Sequence, residues 1–267
     1  MSTLYLSDLD GTLLRSDQRL SEYTLNVVNS LVKNNGYFSY ATARSFVTAS
    51  KVTEGLISEI PVICYNGAFT MRKNEILNSN YFTLTEASHL KSVLGLMPIV
   101  YAYVNSKEHF SFINRDISDG MQHFLNSRIG DLRWREAKNI DELYAGDIFY
   151  ITCIGDEQQL ESISKIISQD ERFQCLYHKE MYTGAQWCEL MPKKATKANA
   201  AIQIKNMLKC DKLVVFGDGL NDISLFSVAD ESYAMQNAVP ELKKIATAVI
   251  ESNDNDGVAK WIEKTGM

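Results

Sequence analysis

Two short acidic stretches carry the residues of this sequence best suited to chemistry. The first is Asp8-Leu9-Asp10-Gly11-Thr12, which follows the apolar run Leu4-Tyr5-Leu6. Alternate residues of a strand share a face, so Asp8 and Asp10 can both turn toward one pocket at the strand end while Leu9 faces the core. Adjacent carboxylates repel unless a cation or a shared proton lies between them. Gly11 allows a tight bend, and the amides around it can cradle an oxyanion. The second stretch is Gly217-Asp218-Gly219-Leu220-Asn221-Asp222, again a glycine turn fed by an apolar strand, over residues 213–216. If the two strands are neighbours, Asp8, Asp10, Asp218 and Asp222 form a four-carboxylate site. Hard oxygen ligands without cysteine or histidine nearby suit Mg²⁺, which takes one or two carboxylates, waters and substrate phosphate. Read separately, the first stretch is Asp-Gly turn chemistry and the second a turn with a helix cap at Asn221 or Asp222.

Further candidates sit where other elements begin or end. Thr42 closes a strand and offers a hydroxyl to a phosphoryl oxygen, or caps the helix that follows. Lys197 opens a helix and can set a point positive charge against a phosphate, with Lys193 and Lys194 as competitors. Asn66 and Gly67 present an amide and a backbone N–H, or make a turn into Phe69-Thr70-Met71.

The elements that must hold these residues follow from the hydrophobic pattern. Ser21 caps a helix with Leu25, Val28, Leu31 and Val32 as its apolar stripe, stopped by Asn34-Asn35-Gly36. Residues 37–41 read as a second strand, 45–54 as a helix and 61–65 as a third strand. Strands that alternate with helices and end in polar residues indicate a parallel α/β sheet whose site lies beyond the strand carboxyl ends. From 81 to 188 the texture changes to an α+β insert. It has paired strands at 99–105 and 109–114 around Ser106-Lys107-Glu108, a helix at 118–125, a strand at 148–154, a helix at 157–167 with Leu160, Ile163, Ile166 and Ile167 apolar, and a strand at 173–178. The α/β texture returns with Glu189-Leu190-Met191-Pro192. A helix at 197–208, strands at 212–216, 232–235 and 248–250, and helices at 240–246 and 257–264 complete the chain.

Composition bounds the function. The chain has 267 residues, 45% hydrophobic and 22% charged, with a net charge of −6 and no basic run, which disfavours a nucleic-acid surface. Its first residues run into a strand rather than a basic and then apolar leader, and no apolar stretch approaches about 18 residues; the expectation is a cytoplasmic protein with no membrane partner. Cys64, Cys153, Cys175, Cys188 and Cys210 form no C-x-x-C pair, so neither a disulfide framework nor a zinc site is indicated, and buried free thiols are expected.

Six stretches together resemble the haloacid dehalogenase superfamily of phosphohydrolases, in its Cof-type branch with a class IIB (C2) cap. They are Asp8-Leu9-Asp10-Gly11-Thr12-Leu13-Leu14, Ala41-Thr42-Ala43-Arg44, Asn66-Gly67-Ala68, Met191-Pro192-Lys193 with Thr196-Lys197, Gly217-Asp218-Gly219-Leu220-Asn221-Asp222, and Asn237-Ala238-Val239-Pro240-Glu241-Leu242-Lys243. The resemblance spans the chain. It departs at Ala43, where Thr-Gly-Arg is usual, and at Gln236, where Met-Gly-Asn-Ala is typical. It implies an α/β fold, with a Rossmann-like parallel-sheet core from residues 1–80 and 189–267 and an inserted α+β cap from 81–188. The implied activity is Mg²⁺-dependent hydrolysis of a small phosphorylated metabolite through an aspartyl-phosphate.

In that reading Asp8 is the nucleophile, and Asp10 moves protons while ligating the metal through its main-chain carbonyl. Thr42, Lys197 and the amides of Leu9 and Gly11 hold the phosphoryl oxygens. Asp218 and Asp222 complete the metal shell with Asn221, and Ala43, Arg44, Asn66 and Gly67 lie toward the substrate. The stretch Tyr182-Thr183-Gly184-Ala185-Gln186-Trp187 resembles the region that family members lower over the substrate, or is an ordinary cap strand. A sugar phosphate is the first expectation, with pyridoxal phosphate and nucleoside monophosphates open, and the oligomeric state is not indicated. Two rivals remain: a phosphomutase of the same superfamily, and a metabolite-binding regulator without turnover.

Overall fold

The computed structural model describes residues 2–115, 117–179 and 184–265. The chain divides into two compact units, Met1–Ser79 with Ala195–Met267, and Asn80–Lys194. Among the described residues no helix is long and apolar enough to cross a membrane.

The first unit begins with β1 (Thr3–Ser7), α1 (Glu22–Lys33), β2 (Tyr37–Tyr40), α2 (Phe46–Val52), β3 (Val62–Cys64), β4 (Phe69–Arg72) and β5 (Glu75–Ser79). Ser21 caps α1 by accepting the Thr24 N–H, and the buried face is Thr24, Val27, Val28 and Leu31; Leu25 and Val32 lie at the edge of that stripe, half-buried. The second unit holds α3 (Leu84–Leu94), β6 (Ile99–Val104), β7 (Lys107–Phe112), α4 (Asp119–Asn126), β8 (Trp134–Glu136), α5 (Ile140–Leu143), β9 (Asp147–Gly155), α6 (Glu157–Ser168), β10 (Phe173–Lys179) and β11 (Gln186–Pro192). The chain then returns to the first unit with α7 (Lys197–Leu208), β12 (Lys212–Gly217), α8 (Ile223–Phe226), β13 (Glu231–Met235), α9 (Pro240–Ile245), β14 (Ala248–Ile250) and α10 (Gly257–Thr265).

The first unit's main sheet has the order β14-β13-β12-β1-β2, all parallel. Its central strands are buried on both faces, as a parallel sheet requires: Leu4, Leu6, Leu213, Val214, Val215 and Phe216 are each at most 1% exposed. The third strand departs from the expected pattern. β3 touches β2's end through one parallel bridge, Ala41 to Ile63, and otherwise pairs antiparallel with β4, which pairs with β5. Tyr65, Asn66 and Gly67 all have positive φ, which reverses the chain into a hairpin instead of sending it on to a helix.

The second unit's sheet has the order β10-β11-β9-β6-β7-β8, antiparallel except where β7 meets β8. Its turn between β6 and β7 is Asn105-Ser106, both at positive φ, a two-residue hairpin loop that starts β7 at Lys107 rather than at His109. α6 buries Leu160, Ile163 and Ile167 but leaves Ile166 57% exposed, one residue off the stripe. The return also falls later than the sequence texture suggested. Glu189 pairs with both Thr152 and Leu176, so the stretch 189–192 is an interior strand of the second unit's sheet, and the first unit resumes at Ala195.

Candidate active site

The site is built where β1 and β12 end side by side. Their register pairs Ser7 with Phe216, and the Asp8 N–H donates to the Phe216 carbonyl at 3.0 Å, so the two acidic turns leave the sheet together. After Ser7 the chain coils: Leu13 N–H reaches the Asp8 carbonyl at 3.3 Å and Leu14 N–H the Leu9 carbonyl at 2.8 Å. Gly11, at φ +74°, passes directly beneath Asp218, where a Cβ would lie 2.3 Å from Asp218 Oδ2. No other residue type fits there without moving the acid.

Three of the four acids converge. One oxygen each from Asp8, Asp218 and Asp222 lies within 4.8 Å of the others. Lys197, at the first turn of α7 and 1% exposed, donates from Nζ to Asp8 Oδ1 at 2.6 Å and to Asp222 Oδ1 at 2.7 Å. Asp222 Oδ2 accepts the N–H groups of Asp218 and Gly219 at 3.0 and 3.1 Å, and Thr12 Oγ1 donates to Asp218 Oδ1 at 2.9 Å.

The charge does not balance. Two buried carboxylates and the half-buried Asp218 face one ammonium, and burial pushes the Asp8 carboxyl well above its ordinary range; Lys197 opposes that rise, and Asp222, Asp218 and Asp10 add to it. Asp218 is pushed up to about 7 by burial and by Asp222, against the Thr12 hydrogen bond. Burial works against the Lys197 ammonium, but Asp222 and Asp8 outweigh it and hold the lysine charged. Removing such a mismatch takes protons or a cation. An all-oxygen donor set with excess negative charge fits a hard divalent ion such as Mg²⁺, so the residues present suit that group.

The four-carboxylate reading needs correction at Asp10. Its side chain turns out to Arg44, whose Nε reaches Asp10 Oδ2 at 2.7 Å and whose Nη2 pairs with Oδ1. The two-residue alternation holds only while the chain stays extended, and it stops at Ser7. Arg44 also donates to Gln18 Oε1 at 3.0 Å. Leu9 is buried, with its side chain in the core.

Thr42 is buried, and its hydroxyl accepts the Arg44 N–H at 3.1 Å. Its carbonyl accepts the Asn66 N–H at 2.9 Å, and Asn66 Oδ1 accepts Asn221 Nδ2 at 3.0 Å. Gly67, at φ +102°, runs against the residue that caps α7; a Cβ there would lie 2.3 Å from the Thr196 carbonyl oxygen. Ala43 is exposed and does not take positive φ, so the loop after Thr42 does not need glycine. Gln236 is exposed too, its carbonyl accepting Lys243 Nζ. Lys193 and Lys194 belong to the second unit and are exposed. Of the stretch 182–187, Tyr182 and Thr183 lie outside the described residues. Gln186 is buried in β11 and Trp187 packs edge-on against Phe124 at 5.0 Å, the packing of a structural strand.

A clamp on the first acidic turn was not evident beforehand. Asn237 Nδ2 donates to the Gly11 carbonyl at 2.7 Å, Asn253 N–H donates to Asn237 Oδ1 at 3.2 Å, and Asn253 Nδ2 donates to the Leu14 carbonyl at 3.0 Å. Asn237 sat in a quoted stretch without a role. Asn253, in Ser252-Asn253-Asp254-Asn255, reads as one more turn residue, and only its burial marks it.

The sequence pattern of the haloacid dehalogenase-like hydrolases matches residues 5–262. The chain is 24% identical over 265 residues to the 5-amino-6-(5-phospho-D-ribitylamino)uracil phosphatase YitU of Bacillus subtilis, covering 96% of this chain and 95% of that protein. It is also 24% identical over 281 residues to YwtE, a phosphatase of the same name and organism, covering 96% of each. In fold it is similar to a haloacid dehalogenase-like hydrolase from B. subtilis, with a TM-score of 0.81 at 21% identity and full coverage of both chains. A haloacid dehalogenase-like hydrolase from Bacteroides thetaiotaomicron superposes with a TM-score of 0.78 at 21% identity over 99% of each chain.

Proposed function

We propose, from the premise that this chain belongs to the haloacid dehalogenase-like hydrolases, that it is a Mg²⁺-dependent phosphatase that cleaves phosphate monoesters of small metabolites. The observation that carries the reading is the buried Lys197 ammonium tied to Asp8 and Asp222 beside Asp218. A carboxylate fixed by a lysine at an oxygen cluster short of positive charge suits in-line attack on phosphorus better than it suits a structural ion pair. Asp8, Asp218 and Asp222 would hold Mg²⁺, which when bound supplies the positive charge that lets a phosphoryl group approach this cluster.

Asp8 attacks phosphorus, forming the aspartyl-phosphate and expelling the alkoxide, which takes its proton from Asp10. Water then cleaves the acyl phosphate, giving its proton to Asp10 and restoring Asp8. Lys197 favours the ionised form of Asp8 and offsets charge on the transferring group, with Thr42 and the amides of Leu9 and Gly11 as further donors to the phosphoryl oxygens. Arg44, paired with Asp10, orients the proton carrier and must share it with the leaving group during turnover.

The groups around Asp8 answer to phosphate and metal chemistry alone, so we assign substrate choice to the second unit, as a specificity cap, and place the enzyme in the cytoplasm. A phosphorylated sugar or sugar alcohol is the favoured class, supported by the ribityl phosphate in the names of YitU and YwtE. The test is phosphate release with Mg²⁺ across sugar phosphates, 5-amino-6-(5-phospho-D-ribitylamino)uracil, pyridoxal phosphate and nucleoside monophosphates, with Asp8→Asn as control. Release by the wild type only supports the reading. Equal rates in both proteins, or isomer interconversion without phosphate release, would overturn it.

A further inference from the structure

We infer that Cys175 and Cys188, on neighbouring strands of the second unit, are a thiol-oxidation site that closes into a reversible disulfide on exposure to a peroxide. The sulfurs lie 3.7 Å apart. In the antiparallel register of β10 and β11, Cys175 stands opposite Leu190 and Cys188 opposite Tyr177, so the two cysteines are diagonal neighbours on one face of the sheet. A disulfide needs its sulfurs about 2 Å apart and its Cα atoms within about 7 Å; diagonal neighbours stand near the upper end of that span, so closure takes rotation about the two Cα–Cβ bonds together with a small approach of the two strands.

The pair is also asymmetric in the way stepwise oxidation requires. Cys175 is half-buried while Cys188 is fully buried, so an oxidant meets Cys175 first. Its sulfur lies 3.7 Å from Ser164 Oγ as well. The Cys188 thiol and the Ser164 and Ser168 hydroxyls draw the Cys175 thiol below its ordinary value against the effect of burial, and the thiolate is the reactive form. Cys153 is the rival partner, standing directly opposite Cys188 across β9 and β11. It is wholly buried, and burial pushes its thiol up to about 12, which removes it from the first step.

The chemistry closes with hydrogen peroxide as oxidant. The Cys175 thiolate takes one peroxide oxygen, giving a sulfenic acid and hydroxide. The Cys188 sulfur then attacks the sulfenic sulfur; the S–S bond forms as the S–O bond breaks, and the hydroxyl leaves with the Cys188 proton as water. Overall two thiols lose two electrons and two protons, and an added dithiol reverses the step by exchange. The inference stands on the second unit alone and is independent of the phosphatase reading.

The test treats the folded full-length protein with hydrogen peroxide, quenches, unfolds it in an alkylating reagent and maps the peptides by mass. The expected result is complete loss of alkylation at Cys175 and Cys188 together and a linked pair of their peptides. Cys64, Cys153 and Cys210 stay alkylated, and dithiothreitol restores both sites. Cys153→Ser should keep the linkage and Cys175→Ser should abolish it, with circular dichroism confirming that each variant is folded. Full alkylation at all five cysteines after peroxide, a Cys153–Cys188 linkage, or Cys175 oxidised to a sulfinic acid with Cys188 still free would each overturn the inference.

Discussion

Lys197 sets the energetics of the site. Its ammonium is the charge that lets Asp8 and Asp222 share a buried volume, and removing one partner of a buried pair leaves the others uncompensated, at about 3–5 kcal/mol. Lys197→Met is therefore expected to destabilise the metal-free protein by that order in urea unfolding, and a loss below about 1 kcal/mol would mean that the acids are neutral without it. Asp8→Asn works in the opposite direction. It removes one of three crowded negative charges, so it should abolish phosphate release while leaving the metal-free melting temperature at or above that of the wild type. Asp10→Asn, whose parent side chain is partly exposed against Arg44, should leave stability nearly unchanged. It should lower kcat by about 10²–10⁴ through loss of proton transfer; unchanged rates with poor leaving groups would remove Asp10 from that role.

The elements matter through a few backbone approaches that side chains would block. Gly67 brings the loop after β3 against the Thr196 carbonyl, and Thr196 caps the helix that presents Lys197. Adding a methyl at Gly67 would displace either the loop or the start of α7. Asn253 ties the turn before α10 to the end of the first acidic loop through Leu14 and Asn237. Asn253→Ala would strand a carbonyl at Leu14, a cost of about 1–3 kcal/mol. Because Asn237 also holds the Gly11 carbonyl, the loss should appear in kcat more than in KM. Lost stability with kcat and KM both intact would limit Asn253 to a folding role.

At the scale of the whole molecule, the excess negative charge makes stability depend on pH and metal together. Asp218 titrates at 3.8 in an unfolded chain and is pushed up to about 7 in the fold by burial and Asp222. Between those values the folded metal-free protein holds a proton that the unfolded chain has released, so stability falls as pH rises from about 4 to about 7. Asp8 shifts in the same direction. The metal-free melting temperature should therefore be higher near pH 5 than near pH 8, roughly bracketing the end of that window. Mg²⁺ should raise it most at the higher pH, because the cation needs ionised ligands. A metal-free melting temperature that is flat or rises with pH would contradict this balance. A chelator should abolish phosphate release, and Ca²⁺, with longer and looser bonds, should bind without supporting full turnover. Replacing residues 80–194 with the corresponding unit of a relative should move substrate preference and keep the Mg²⁺ requirement; unchanged preference would place the selector in the first unit.

Much of this was readable from local pattern. Short apolar runs ending in Asp8 and Gly217 identify buried parallel strands, and Ser21 and Thr196 sit where helix caps are needed. Glycines at 11 and 67 mark turns that side chains would obstruct. These signals are local because propensity, capping and backbone freedom act over a few residues. What local pattern leaves open is which strands lie side by side, and that choice decides the site. Pairing of β1 with β12 joins residues more than two hundred positions apart and puts Asp218 beside Asp8. The coil after Ser7 turns Asp10 to Arg44 instead of into the cluster, and the hairpin after Tyr65 takes β3 out of the parallel sheet. Asn253 and the Cys175–Cys188 pair become visible only once distant segments are packed. Such contacts are chosen by burial and hydrogen bonding across the whole fold, and no window of neighbouring residues contains them.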